Sequence, residues 1–429
     1  MGSGSVIIGL VRIFSACMVT LVCPAAVFAG DLDLQELINE ALKNSPEIHA
    51  AGSKASASGF RVPQAASLPD PMFMIGYQNE GYNRYNYGDS PDAKWMYSVS
   101  QTFPYPGKLP LKGEMAAKEN ESLSASSRAV RLRTVSRIKE LYYDLFLAYK
   151  NIDLIRDRSA LFSRVEEAAL ARYSSGTGMQ QDVLMAQTEK YMLLEKEEML
   201  KQKIQSLEGM LNTTLGRDVN APLGRPVEPP YAPYPRTMDE LIALSHENSP
   251  EIKARQMMAA SAEAKVKMAQ KEYYPDFTIA ANLEKRGRPF EDMWSVTTTF
   301  NIPLFYKTKQ RQGVREAEAS LAEARSELQS VRLMLSSNVR DNYSMLRSTE
   351  RLMALYRDGL IPKTHQDFQA ALSSYTTGKS DALTVVSRLK SIIDYEIAYW
   401  GQLAERGKAI ARLGGLTGIT DSATGEKVK

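Results

Sequence analysis

The histidine side chains are the first candidates for chemistry, because imidazole can act as a catalytic base or as a metal ligand. The chain of 429 residues contains three of them, His49, His246 and His365. They are isolated in the sequence, and none has the spacing of a zinc site or of a catalytic triad. No glycine-rich phosphate-binding loop is present either. We therefore predict no enzyme activity, no cofactor and no metal centre.

Methionine is the next candidate, because thioethers are ligands for soft cations. The chain contains 19 methionines. Most lie at helical spacing, where filling a hydrophobic core is the more common role. Met72 and Met74 differ, because they lie in a predicted strand. The alternation of the strand would place both on the same face, which would line a lumen if the strands form a barrel. We predict these two as candidate lumen residues, with simple packing as the alternative role.

Two aspartates follow predicted turns between helices, at residues 174–178 and 376–380. Asp182 and Asp381 come within two helical turns after them. If these side chains face a tunnel in a symmetric oligomer, each forms a ring of carboxylates that favours cations and can act as a gate. The alternative role is local, since a carboxylate at a helix N-terminus complements the helix dipole. Our hypothesis is that one of the two, bonded to Tyr375, holds the tip closed.

The same turns contain glycines that a tight connection between helices needs. Gly176, Gly178 and Gly378 permit the positive φ angles found in such turns. Tyr173 and Tyr375 precede the two turns at matching positions. These five residues are the candidate tip residues of the chain.

A very long helix must position the first turn. We predict one helix over residues 108–172 and a second helix that runs back from the turn to residue 215. At a rise of 1.5 Å per residue, about 65 residues give a helix ~100 Å long, which needs neighbours on both sides, as in a wall of helices. The prediction rests on a coiled-coil repeat of seven residues. Its a and d positions are Ile138, Leu141, Leu145, Ala148, Ile152, Ile155 and Phe162.

The arrangement of a long helix, a turn and a returning helix occurs twice in the chain, which indicates a tandem duplication. The Asn-Ser-Pro-Glu-Ile sequence of residues 44–48 recurs at 248–252, and Gly176 is matched by Gly378 at a similar offset. We predict a signal peptide at 1–29, a first repeat at 30–218, a proline-rich extended linker at 219–236, a second repeat at 237–414 and a flexible tail at 415–429. The long helical hairpins occupy 108–215 and 307–413.

Each repeat also contains a predicted hairpin of two strands, at about residues 71–104 and 276–302. Apolar and aromatic residues alternate there with small or polar ones, which is typical of transmembrane strands with an apolar outer face and a polar inner face. A half-buried sheet in a soluble protein is the alternative. Four strands cannot close a barrel, so a membrane-spanning form must be an oligomer. A dimer would give eight strands, and a trimer would give twelve with room for a pore.

The first 29 residues predict export. An apolar run ends in Val27, Phe28 and Ala29, which resemble a signal-peptidase site. Both cysteines, Cys17 and Cys23, lie in this segment, so the mature chain would have no disulfide; lipidation of Cys17 is an alternative fate. The formal charge of +3 is spread without a basic block and does not predict nucleic-acid binding. No later stretch has the roughly 20 continuous apolar residues of a membrane-spanning helix.

Together the duplication, the two pairs of strands, the two long helical hairpins and the exported chain resemble the TolC-like outer-membrane efflux protein family. The turn patterns Tyr173-x-x-Gly176 with Asp182, and Tyr375-x-x-Gly378 with Asp381, carry the local resemblance. The second repeat departs from the pattern, because Thr384 stands where the first has Asp182. The stretches at 68–72 and 101–108 resemble the heavy-metal branch, which serves cation exporters of the resistance-nodulation-division type.

This resemblance implies a homotrimer with a twelve-stranded barrel in the Gram-negative outer membrane and a helical tunnel in the periplasm. It also implies that the tip residues dock a periplasmic adaptor, which connects the tunnel to an inner-membrane pump. The predicted fold is mainly α with a β-barrel part, and the predicted function is a passive duct, with metal cations as the expected cargo. A duct for drugs or secreted polypeptides is one alternative, and a structural periplasmic coiled-coil protein is another.

Overall fold

The computed structural model describes residues 31–419. The predicted signal peptide, Cys17, Cys23 and the last ten residues of the predicted tail lie outside the described residues. A short strand, β1 (Asp31–Leu32), leads into two helices, α1 (Leu34–Asn44) and α2 (Pro46–Ala66). Asp33 caps α1. Pro46 begins α2, where a backbone N–H would have no acceptor within the helix, so proline costs no hydrogen bond there.

Four strands form one antiparallel sheet. They are β2 (Met72–Gln78), β3 (Lys94–Phe103), β5 (Phe277–Lys285) and β6 (Met293–Phe300), in the order β2-β3-β5-β6. Each repeat contributes one hairpin, and β3 pairs with β5 to join the repeats. Two edges remain in this single chain, at β2 and β6.

The sheet has one apolar face and one polar face, as the alternation predicted. The register pairs Phe103 with Phe277 and Phe277 with Phe300 on the apolar face. It pairs Ser98 with Asn282 and Asn282 with Ser295 on the other. We call the second surface the polar face. Since strand side chains point alternately to either side, the register extends this division along all four strands.

The first long helical hairpin consists of α3 (Lys108–Ser174) and α4 (Gln180–Leu215). All seven predicted a and d positions of α3 are at most 5% exposed, which confirms the heptad. Helices α2, α4, α6 (Pro250–Lys271) and α9 (Ala382–Thr417) all pack against α3, so it has the neighbours on several sides that its length requires. Pro110 lies in the first turn of α3, where a proline is tolerated.

The second repeat follows the first with one break. Thr237 and Glu240 form a capping box at the start of α5 (Met238–Asn248). The next long helix, α7 (Gln310–Ala354), begins three residues after the predicted start and continues through a π-helical segment (Leu355–Leu360) into α8 (Ile361–Thr376). This break was not predicted. Pro362 explains it, because a proline early in α8 cannot donate to the preceding turn, and a π turn accommodates the mismatch.

Helix α9 extends further than predicted, so residues 415–417 are helical rather than part of a tail. Gly418 ends it with a positive φ of 70°. None of the helices between residues 31 and 419 combines the length and the apolar character needed to cross a membrane.

The linker between the repeats packs against the helices. Its strand β4 (Arg225–Pro226) pairs with β1 in parallel. The Tyr142 hydroxyl of α3 accepts a hydrogen bond from the Val227 N–H at 3.0 Å and lies 3.1 Å from the Leu32 carbonyl. Arg406 of α9 lies over the Tyr231 ring at 4.5 Å. The extended linker is therefore tied to both helical hairpins.

Buried apolar residues form clusters along the helical hairpins. One cluster near the two helical turns includes Phe162 and Val165 of α3 with Phe368 and Leu389 of the second repeat. Another joins α1, α3 and α4 through residues such as Leu145. The first cluster matters most for the candidate site, since it holds the ends of the two hairpins together.

Candidate functional site at the helical tip

The turn between α3 and α4 is closed by its own backbone. The N–H groups of Thr177 and Gly178 both donate to the Arg172 carbonyl at 2.9 Å. Gly176 has a φ of 71°, as predicted. Gly178 does not have a positive φ, so that part of the prediction was wrong. It is needed because a Cβ atom there would lie 2.8 Å from the Arg172 Cβ.

The turn between α8 and α9 has the same form. The Lys379 N–H donates to the Ser374 carbonyl at 2.8 Å, and Gly378 has a φ of 76°. These bonds satisfy carbonyl groups that a helix end leaves without partners. The duplication therefore produces two matching turns.

A hydrogen bond joins the two hairpins at the tip. The Tyr375 hydroxyl of α8 donates to the Asp182 carboxylate of α4 at 3.1 Å. Burial, and then the negative charge of Asp182, raises the pKa of Tyr375 to about 12. The phenol therefore keeps its proton and remains a hydrogen-bond donor over the physiological pH range.

Arg172 completes this contact from the other side of the tyrosine. Its guanidinium lies over the Tyr375 ring at 4.6 Å, and it donates to the Tyr375 carbonyl at 2.8 Å and to the Thr177 carbonyl at 3.1 Å. One arginine thus contacts both turns. Sequence reasoning missed Arg172, and its only signal was its place next to Tyr173.

Asp381 has a different place from Asp182. It is the N-cap of α9, and its carboxylate accepts a hydrogen bond from the Thr384 N–H at 3.0 Å. Hydrogen bonding to Thr384 lowers the pKa of the exposed Asp381 carboxyl. The bond to Tyr375 is made by Asp182, and Asp381 has the local capping role that was the alternative for both.

The two matching tyrosines also differ. Tyr375 is 0% exposed and lies between the hairpins, whereas Tyr173 is 46% exposed. Other apolar side chains close to the two turns in sequence are exposed as well. We call this set the tip surface; it comprises Leu170, Tyr173, Met179, Leu184 and Leu383. Only the exposed tyrosine can contact a partner directly.

Ion pairs connect the hairpins further from the turns. Arg158 of α3 makes a two-point contact with the buried Glu396 of α9, at 2.8 and 2.5 Å. His365 of α8 lies 3.3 Å from the same carboxylate, so it is not isolated in the fold. Lys390 pairs with Glu189 at 3.0 Å. Arg158 and Glu396 are 238 positions apart, and no sequence pattern links them.

The other histidines make single contacts. His49 lies 2.7 Å from the Lys43 carbonyl, and His246 lies 2.8 Å from the Ser336 hydroxyl. Within residues 31–419, no group of three or more His, Cys, Asp and Glu side chains is placed to hold a metal ion. The remaining predicted site residues, Met72 and Met74, are exposed on the polar face, far along the chain from the tip.

Comparison with known proteins identifies a family that this chain resembles. Residues 241–418 match the outer membrane efflux protein family. The second half of the chain therefore matches the outer membrane efflux protein family. The sequence-based assignment is therefore confirmed, and the chain is an outer-membrane efflux channel of Gram-negative bacteria. Members of this family are ducts rather than enzymes.

Two curated relatives are similar over most of their length. The nickel-cobalt-cadmium resistance protein NccC of Alcaligenes xylosoxydans xylosoxydans is 22% identical, over 73% of this chain and 70% of the relative. The cobalt-zinc-cadmium resistance protein CzcC of Cupriavidus metallidurans is 20% identical, over 91% of each.

Solved channel structures share the fold. The outer-membrane channel OprN superimposes with a TM-score of 0.77 at 16% identity, over 90% of each chain. CusC superimposes with a TM-score of 0.77 at 14% identity, over 92% of this chain and 94% of the other. VceC of Vibrio cholerae gives 0.76 at 18% identity, over 91% and 97%. The predicted fold class, long helical hairpins with a small strand part, is confirmed.

Proposed function

We propose that the chain forms the passive outer-membrane duct of a tripartite system that exports metal cations. The observation that carries the duct is the hydrogen bond between Asp182 and Tyr375, which closes two helical hairpins against each other at one end of the molecule. A connection of this kind, repeated by symmetry, would restrict a tunnel and could be released when a partner binds.

A homotrimer supports this function. The sheet of one chain ends at β2 and β6, whose outer backbone groups lack strand partners in the single chain. Joining β6 of one copy to β2 of the next in three copies would give a closed sheet of twelve strands. The apolar face would then contact lipid, and the polar face would line the passage.

An adaptor protein in the periplasm is the proposed partner at the tip. The tip surface is apolar and exposed on the ends of rigid hairpins, which suits binding of another protein. Gly176, Gly178 and Gly378 would keep the turns narrow enough for docking. Tyr375 is buried, so its contribution would be indirect, through the position of the second hairpin.

The cargo is inferred from the relatives. NccC and CzcC are named for resistance to nickel, cobalt, zinc and cadmium. The gate also suits cations, since Asp182 would form a ring of three carboxylates in a trimer.

We propose two repeats at 30–218 and 237–414 as the functional halves, with the signal peptide at 1–29 directing export.

Growth of a deletion strain tests the proposal. The strain, with and without the restored gene, is grown on graded nickel, cobalt, zinc, cadmium, copper and silver, and on hydrophobic antibiotics. We expect sensitivity to metals that the restored gene rescues and that a chain with a stop codon in α3 does not. Sensitivity confined to antibiotics would reject the metal cargo and favour a drug duct. A protein that leaves the membrane fraction in urea would contradict the duct itself.

A further inference from the structure

Four methionines lie on the polar face of the sheet. They are Met72 and Met74 on β2, Met96 on β3 and Met293 on β6. Met72 and Met74 are directly opposite Ser100 and Ser98. The surroundings are otherwise small and polar, so these thioethers have no hydrophobic core to fill, and packing does not explain them.

A glycine brings Met96 towards β2. Gly76 is directly opposite Met96, and the Met96 methyl group lies 3.4 Å from where a Cβ atom on Gly76 would be. Met96 therefore leans across β2 at the position next to Met74 on the same face. Diagonal positions on paired strands are about 7–8 Å apart, a gap that two methionine side chains can span.

Met72 extends the same group along β2. Two residues of a strand rise about 6.6–6.8 Å, so Met72 follows Met74 on the polar face within reach of one side chain. Met293 is separated from Met96 by Glu284, which is opposite both of them. It therefore lies two strand spacings away, about 9.6 Å, and outside the group.

The carboxylate directly opposite Met96 is already paired. Glu284 accepts from the Lys94 ammonium at 2.7 Å, and both side chains are less than one-third exposed. Besides the Ser98 and Ser100 hydroxyl groups opposite Met74 and Met72, the group offers a cation three thioether sulfurs. Such donors select soft monovalent cations, whereas cobalt and zinc prefer nitrogen, oxygen or thiolate ligands.

We propose that Met72, Met74 and Met96 form a binding site for Ag⁺ or Cu⁺ on the polar face of the sheet. The proposal rests on the proposed function in one respect, since it takes the polar face as the lining of the passage. It also extends that function to cargo softer than the cobalt and zinc in the relatives' names. The site would hold a passing cation by exchange between neighbouring thioethers.

The test measures Ag⁺ binding by the purified full-length protein in detergent, by titration calorimetry in chloride-free buffer. The variant is Met72→Leu/Met74→Leu/Met96→Leu, because leucine keeps a similar volume without the sulfur. The matched control removes three exposed helical methionines, Met192→Leu/Met199→Leu/Met210→Leu. Met293→Leu controls for the polar face itself.

The site predicts about one tight Ag⁺ per chain for the wild type and for both controls. Loss of an outer-shell partner alone costs about 10–100-fold in metal affinity, so loss of the three ligands should weaken binding by about 100-fold or more. Co²⁺ should give no comparable signal. Equal binding by the triple variant, or equal loss in the helical control, would overturn the site.

Single variants Met74→Leu and Met96→Leu keep the test decisive if the triple variant does not fold. Each should weaken Ag⁺ binding, and normal binding by both would contradict the proposal. Because binding is measured without transport, its failure leaves the duct untouched. Conversely, a failed growth test on nickel or cobalt would not remove an Ag⁺ site found by titration.

Discussion

Tyr375 of α8 donates a hydrogen bond to Asp182 of α4, at 3.1 Å and across 193 positions of sequence. The two residues belong to different repeats and to different helical hairpins. Arg172 holds the tyrosine from the opposite side, through its ring and its backbone carbonyl. The end of the molecule is thus closed by a small set of polar contacts above a buried apolar cluster.

Removal of this hydroxyl should loosen the tip. A hydrogen bond to a charged group contributes about 1.5–3 kcal/mol, so Tyr375→Phe should make hydrogen exchange faster near residues 172–182 and 374–384. Tyr173→Phe is the matched control, because its tyrosine is exposed on the outside of the turn. Equal exchange in the wild type and in Tyr375→Phe would show that the bond does not hold the hairpins.

The raised pKa of Tyr375 gives a dependence on alkaline pH. The folded protein favours the protonated phenol, with a pKa of about 12 against an ordinary value of 10. This stabilisation is complete below pH 10 and is lost as the pH rises through 12. The thermal midpoint should fall over that window, and the fall should be smaller in Tyr375→Phe. Burial also raises the pKa of Tyr142 and Tyr143, and raises that of Tyr149 to about 12, so these tyrosines contribute to the part of the fall that remains.

Gly178 should tolerate alanine less well than an open helical glycine does. The new Cβ atom would lie 2.8 Å from the Arg172 Cβ and 3.1 Å from the Tyr173 backbone nitrogen. Forcing atoms into occupied space costs about 1–3 kcal/mol and would displace Arg172 from Tyr375. Gly313→Ala in α7 meets no atom within 4 Å and should stabilise its helix by about 0.5–1 kcal/mol. Chemical denaturation compares the two, and equal stability would contradict the close approach.

The ion pair of Arg158 and Glu396 should depend on both partners. Glu396→Gln leaves a partly buried guanidinium with a weaker acceptor. Breaking a fully buried pair costs about 3–5 kcal/mol; we expect about 1–3 kcal/mol, because Arg158 is one-quarter exposed. The double variant Arg158→Met/Glu396→Leu should recover part of this loss. If the double variant loses as much stability as the single variants Arg158→Met and Glu396→Leu lose together, the pair is not coupled.

Much of this architecture follows from local patterns in the sequence. The heptad of α3 marks one continuous buried stripe, and strand alternation separates the apolar face from the polar face. Both patterns express a period that the backbone itself imposes. Even the polar-face position of Met96 follows from alternation, although its lean over Gly76 does not.

The rest depends on how distant elements meet. Tyr173 and Tyr375 occupy matching positions in the duplication, yet only Tyr375 lies between the hairpins. Which tyrosine is buried depends on the packing of α4 against α8 and α9, which no local pattern records. The π-helical segment before Pro362 has a local cause, which is the proline itself. A proline can break or distort a helix in several ways, however, and the sequence does not indicate which of them occurs.

Conductance in planar lipid bilayers tests the central claim most directly. The purified protein should show passive, ohmic channels of low conductance without a pump, and Asp182→Ala and Tyr375→Phe should raise that conductance. Asp381→Ala should leave it unchanged, because Asp381 caps its own helix instead of joining the hairpins. If Asp182→Ala and Tyr375→Phe conduct like the wild type, the contact is no gate. If no variant forms channels, the chain is not a duct by itself.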